Sequence, residues 1–135
     1  MLAAIIAIFA VIADQVSKYF VVETIELHET VPFINGFMSF YHTRNTGAAF
    51  SMLSNNRWVF MVMSFVSMII ITALLVKEYK RHKLMTVSLA MVLGGGIGNM
   101  IDRVRLGYVV DFFKTDFIDF AIFNVADCFV TVGAI

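Results

Sequence analysis

Three stretches of this chain, residues 2–22, 58–76 and 84–101, are apolar for long enough to cross a hydrocarbon core of ~30 Å as helices. Inside lipid the backbone must satisfy its own hydrogen bonds, so runs of this length select membrane-spanning helices. Composition agrees, with 60% of 135 residues hydrophobic, 15% charged and a mean hydropathy of +0.86. A soluble domain is less apolar, at ~45–50%. Residues 2–22 carry no Lys or Arg before Lys18, so they read as a span and not as a cleaved signal peptide, which has a basic start. Ten Lys and Arg balance ten Asp and Glu, and no net charge points to nucleic acid. The single cysteine, Cys128, excludes an intrachain disulfide. No histidine lies near it in sequence, and it reads as a small packing residue.

Between the second and third spans, residues 77–83 hold Lys77, Lys80, Arg81 and Lys83, the mark of a cytoplasmic loop. By parity the N-terminus is cytoplasmic, and residues 23–57 and 102–120 lie outside. Residues 121–135 are apolar again apart from Asn124 and Asp127, but 15 residues at 1.5 Å each reach only ~22 Å. This fourth span is expected to be cut short and to continue beyond residue 135 in nature, in preference to forming a re-entrant helix. In the first outer segment, Asn35-Gly36 before β-forming residues predicts a hairpin. Phe33, Phe37, Phe40 and Tyr41 suit a small sheet at headgroup level. The fold class is therefore an all-α membrane protein of one domain, residues 1–135, with four transmembrane helices and a small extracytoplasmic β-hairpin.

Ionisable groups in such a chain are costly and become functional candidates. Asp111 follows two valines in an extended stretch, and Asp127 lies three residues after Asn124 on the fourth helix. Two carboxylates that meet share a proton and can act as acid and base on one water. The structural alternative is that each pairs with Arg103 or Lys18. Asp116 and Asp119 compete but lie in a polar, solvated loop. Asp14 and Lys18, at i and i+4, share a helix face and can pair, with Lys18 snorkelling to the outer surface and Asp14 orienting groups near the site. Arg44-Asn45-Thr46-Gly47-Ala48-Ala49-Phe50-Ser51 suits backbone turning close to a ligand, or a plain helix entrance capped by Asn45 or Thr46. Gly94 and Gly98 form a small-residue pattern that serves internal packing before dimerisation. Asn99 follows them, and Asp102-Arg103 would close that helix at the outer interface. His28, His42 and His82 are scattered, and there is no HExxH or GxSxG pattern, so neither metal nor serine chemistry is expected.

Taken together, these motifs resemble the lipoprotein signal peptidase (signal peptidase II) family of bacterial membrane aspartyl proteases. The likeness runs through Asp14-Gln15-x-x-Lys18, Arg44-Asn45-Thr46-Gly47-Ala48-Ala49-Phe50, Gly94-Gly95-x-x-Gly98-Asn99-x-x-Asp102-Arg103, Gly107-x-Val109-Val110-Asp111-Phe112 and Phe123-Asn124-x-Ala126-Asp127. The resemblance implies cleavage of prolipoproteins on the N-terminal side of a diacylglyceryl-modified cysteine, in the bacterial cytoplasmic membrane near its outer face. It implies Asp111 and Asp127 as the catalytic pair, supported by Asn45, Gly47, Asn99, Arg103, Asn124, Asp14 and Lys18, and a small β-cradle outside. The implied partners are the lipidated substrate and membrane lipids. No cofactor, metal or nucleic acid is expected, and a monomer is. Two other classes stay open. A small proton-coupled carrier would string Asp14, Lys18, Asp111 and Asp127 across the bilayer, and a scaffold or channel subunit would assemble through Gly94 and Gly98.

Overall fold

In a computed structural model, which describes residues 1–47 and 57–135, the chain forms four helices and one small sheet. Helices α1 (Leu2–Thr24), α2 (Arg57–Glu78) and α3 (Lys83–Arg105) are long and apolar enough to cross a membrane. Strands β1 (Thr30–Ile34) and β2 (Met38–Asn45) separate α1 from α2, β3 (Val109–Thr115) follows α3, and α4 (Val125–Ala134) comes last. The segment expected at the entrance to the second span, including Ala48, Ala49, Phe50 and Ser51, lies outside the described residues.

Helix α1 shows how lipid as solvent inverts the usual pattern. Ile5, Ile8, Phe9, Ile12 and Phe20 are exposed, whereas Asp14 and Lys18 are buried. Apolar side chains lose nothing by facing hydrocarbon, while charge has to find charge inside the bundle. Helix α3 lies at the centre, against α1, α2 and α4, and its small residues permit the approach. Gly94 abuts Ala7 and Ala10 of α1, and a Cβ on Gly98 would stand 2.6 Å from an Asp14 carboxylate oxygen. The i, i+4 glycines thus serve packing within the chain.

The expected hairpin forms, with Gly36 at φ +71° in its turn and Thr30 opposite Tyr41. Strand β3 joins it on the far side of β2, so the element is a three-stranded antiparallel sheet in the order β1-β2-β3. The sheet is held to the end of α1 by a cluster of Val21, Ile25, Val110 and Phe112. A 2.8 Å hydrogen bond between the buried His42 Nδ1 and the Ile25 carbonyl reinforces the join. Phe33 and Phe37 remain exposed, and Phe37 stacks on Phe117 with centroids 4.8 Å apart.

Two boundaries differ from the sequence expectation. Helix α3 does not close at Asp102-Arg103 but runs on to Arg105, because Asp102 turns inward and meets a cation there (below). The fourth helix starts at Val125 and not at 121. Before it, Phe123 exchanges backbone hydrogen bonds with Phe113, donating at 3.1 Å and accepting at 2.8 Å, an isolated bridge to β3 that takes this residue out of the helix. The ten residues of α4 rise only ~15 Å.

Candidate active site

The sheet end of the bundle gathers polar groups from four elements. Strand β3 leaves α3 and carries Asp111 beside β2, where it lies opposite Thr43. The last residue of β2, Asn45, donates from Nδ2 to Asp111 Oδ2 at 2.8 Å, and its own Oδ1 accepts from the Gly47 N–H at 2.9 Å. Asn45 therefore ends a strand and does not cap α2. On the other side, Asn124 is the N-cap of α4: its Oδ1 accepts from the Asp127 N–H at 3.0 Å, and Asp127 Oδ2 accepts from the Asn124 N–H at 3.2 Å. This reciprocal capping box fixes Asp127 in the first turn, where the positive end of the helix dipole favours a carboxylate.

One residue connects the two acids. Asn124 Nδ2 donates to Asp111 Oδ1 at 2.7 Å while the same residue brackets Asp127. Asn99 completes the frame, donating from Nδ2 to Asp127 Oδ1 at 2.8 Å and accepting at Oδ1 from Asn124 Nδ2 at 3.0 Å. Both carboxylates open onto one cavity of about 450 Å³, together with Asn45, Gly47, Asn99 and Arg103 and an apolar wall that includes Phe120, Ile122 and Val132. Arg103 Nη1 also donates to the Asn99 carbonyl at 3.3 Å. Cys128 lies half-buried on the cavity wall and not in the bundle interior. Asp116 and Asp119 are exposed, and Asp116 accepts a hydrogen bond from Ser39.

Asp111 is 2% exposed, and burial raises its carboxyl from an ordinary 3.8 to about 6. The neighbouring charge of Asp127 adds to the rise, while hydrogen bonds from Asn45 and Asn124 and the charge of Lys18 oppose it. Asp111 therefore keeps its proton over a window below neutrality in which a free carboxyl has lost it. That window has a consequence for stability. Below 3.8 the group is protonated in native and unfolded chains alike. As pH rises toward and through about 6, the native protein keeps a proton that the unfolded chain releases, so the parent protein loses stability. An Asp111→Asn variant has no such proton. Its unfolding free energy relative to the parent should rise by about 2–3 kcal/mol between about pH 4 and about pH 7, measurable by chemical unfolding in detergent across that range. A difference that stays constant with pH would contradict the placement of Asp111.

Behind the pair lies a buried ion cluster. Lys18 Nζ is 2.8 Å from Asp14 Oδ2 and 2.9 Å from Asp102 Oδ2, and it donates to Asn99 Oδ1 at 3.0 Å. The expected i, i+4 pair therefore exists, but the expectation that Lys18 snorkels outward is overturned. The side chain is 4% exposed and turns into the bundle, because a second carboxylate on α3 waits there and removes the need to reach water. Asp14 Oδ1 accepts from the Ala126 N–H at 2.9 Å, which anchors the first turn of α4. Asp102 Oδ2 accepts from the Val110 N–H at 3.1 Å, one residue before Asp111. Asp102 and Gln15, whose Nε2 donates to Asp102 Oδ1 at 2.9 Å, were not candidates from sequence. The signal was present in the spacing: Asp102 lies four residues after Gly98, on the small-residue face that meets α1.

The two carboxylates are not ion-paired to Lys18; the cation is held by Asp14 and Asp102, and the amides of Asn45, Asn99 and Asn124 meet Asp111 and Asp127 instead. Comparison with known proteins bears on what such a frame serves. A family model described as signal peptidase (SPase) II matches residues 6–135. A lipoprotein signal peptidase of Enterococcus faecalis is 52% identical over 122 residues, covering 90% of this chain and 76% of that protein. Another from Symbiobacterium thermophilum is 45% identical over 135 residues, covering 98% of this chain and 89% of its own length. A solved bacterial membrane enzyme superposes with a TM-score of 0.93 at 35% identity, over 98% of this chain and 82% of that one. By its motifs, its sequence relatives and its fold, the chain belongs to the signal peptidase II family.

Proposed function

We propose that this protein is an aspartic-type membrane endopeptidase that removes signal peptides from prolipoproteins, cutting on the N-terminal side of a diacylglyceryl-modified cysteine, with Asp111 and Asp127 as the reacting pair. The observation that carries this reading is that both carboxylates line one cavity and are joined through Asn124, whose side chain donates to Asp111 and whose backbone N–H donates to Asp127. Asn45, Gly47, Asn99, Arg103 and Asn124 hold the geometry, and Asp14 and Lys18 support it from behind. The enzyme sits as a multi-pass monomer in the bacterial cytoplasmic membrane, its basic loop 77–83 and N-terminus inside and its sheet end outside.

The chemistry needs only water and one proton on the pair. The ionised member takes a proton from water as the water oxygen attacks the scissile carbonyl carbon, and the protonated member, which burial favours at Asp111, gives its proton to the carbonyl oxygen. The resulting diol then collapses. The C–N bond breaks, the acid formed in the first step protonates the leaving nitrogen, and the other aspartate recovers a proton from a diol hydroxyl. The products are a carboxyl terminus and a free amine, and the pair ends with the single proton it began with. The apolar wall of Phe120, Ile122 and Val132 offers the substrate's lipid and signal segment a surface continuous with the membrane.

A proton-coupled carrier has no support. Asp14, Lys18, Asp111 and Asp127 are linked in one network through Asn99 and Asn124, and the relatives are peptidases. The test is a gel-shift assay on one precursor prepared with and without the diacylglyceryl group on its cysteine. The purified protein should shorten the lipidated form and leave the other intact; failure to cut the lipidated form, or equal cutting of both, would contradict the reading.

A further inference from the structure

We propose that Lys18 is a positioning residue for the reaction: its buried ammonium locks the Asn99 end of an Asn99–Asn124 amide chain whose other end is held by the Asp127 backbone N–H, so that each carboxylate faces an N–H. The proposal rests on Asp111 and Asp127 being the reacting pair. An ammonium has three N–H donors and no acceptor. Lys18 directs them at Asp14, Asp102 and Asn99, so the Asn99 atom facing it has to be the carbonyl oxygen. The NH2 end is then forced toward Asp127, 2.8 Å away.

The constraint passes one residue further. With the Asn99 oxygen fixed as an acceptor, the Asn124 atom 3.0 Å from it has to be the NH2, which also reaches Asp111 Oδ1 at 2.7 Å. From the opposite end, the Asp127 backbone N–H is likewise donor-only and requires the Asn124 oxygen, 3.0 Å away. Two donor-only groups at the ends of a two-amide chain leave a single arrangement, in which each acid receives an N–H. If Asn99 turned over, its NH2 would face an ammonium and its oxygen a carboxylate, both repulsive. Among the described residues, the charged groups around the pair are Lys18 and Asp14 from α1 and Asp102 and Arg103 from α3, with Cys128 of α4 as the neighbouring titratable group; Lys18 touches the amide chain through a side-chain oxygen.

The test separates this role from neutralisation of buried charge. Asp14, Lys18 and Asp102 together carry one net negative charge, and the double variant Lys18→Met with Asp102→Asn leaves the same net charge on Asp14 alone. In the full chain in detergent, the double variant should melt close to the parent and bind lipidated precursor with KM within about threefold. Its kcat should fall at least tenfold, and the acid limb of its pH profile should move up by about one unit, because an Asn99 no longer held by a donor-only partner loosens its N–H from Asp127 and the ionised pair loses that hydrogen bond. Lys18→Arg, which keeps a donor-only cation, should keep the parent's pH profile. Parental kcat and profile in the double variant, or a Lys18→Arg profile displaced as far as that of the double variant, would overturn the proposal. Should the double variant fail to fold, Lys18→Arg against Lys18→Met decides on the profile alone. The pair itself is tested separately: cleavage retained by Asp111→Asn and Asp127→Asn would refute the reading beneath, whatever Lys18 does.

Discussion

Asparagine at position 111 or 127 should lower the rate of precursor cleavage by at least about a thousandfold, while the protein remains folded and still binds substrate. The amide matches the carboxyl in shape but neither accepts nor carries the proton the reaction moves. At 111, it can accept from only one of the two amides, Asn45 and Asn124, that now donate to the carboxylate, so a small packing adjustment is expected beside the chemical loss. At 127, one amide oxygen can still accept from the Asn124 N–H and keep the cap, while the bond from Asn99 is lost. Rates near the parent's in both variants, measured on lipidated precursor, would show that the pair does not do the chemistry.

Asn124→Ala should combine two losses that Asn124→Ser separates. Alanine removes the acceptor that caps α4, costing about 1 kcal/mol. It also leaves Asp111 Oδ1 and the Asn99 oxygen without the donor they share, costing about 1–3 kcal/mol for buried groups. Serine is a good cap but too short to bridge the acids, so it should recover the capping part of the stability and little of the activity. Both variants are expected to lose about a hundredfold in kcat, on the scale of a misplaced acid–base group. Thermal unfolding and single-turnover cleavage on the same preparations make the comparison. Activity that follows stability across the two would mean that Asn124 serves the helix alone.

Local patterns in the chain proved readable, and the ones that failed depended on a distant partner. Apolar runs identified α1, α2 and α3 because lipid exposure demands uninterrupted hydrophobicity, and Asn35-Gly36 gave the hairpin because a positive φ is needed there. The i, i+4 spacing of Asp14 and Lys18 gave their pairing. Nothing local said which way Lys18 turns, since that depends on Asp102, 84 positions away on α3 and only 2.9 Å from it in space. The same partner explains why α3 continues beyond its apolar stretch. The start of α4 was legible in principle: Asn124-Val125-Ala126-Asp127 has the spacing of a capping box, but the apolar residues before it read as more helix when Phe123 bridges to β3 instead. The stretch around Asp111 read as extended, as β3 is, but its place in the sheet escaped, because Val109–Thr115 offers valines and aromatics without a turn to join it to the hairpin. The acids at 111 and 127 stood out as charges that an apolar chain carries only at a cost; the asparagine frame between them is a tertiary fact.

Infrared difference spectroscopy of the purified protein measures most directly whether the two acids share one proton. At about pH 5 the parent should show a carboxylic-acid carbonyl stretch, because burial and the neighbouring Asp127 charge hold a proton on Asp111. The band should disappear in Asp111→Asn, and in Asp127→Asn, where burial still acts but the neighbouring charge is gone, it should persist and titrate away at a lower pH than in the parent. A band that survives in Asp111→Asn, or that titrates identically in the parent and in Asp127→Asn, would contradict it.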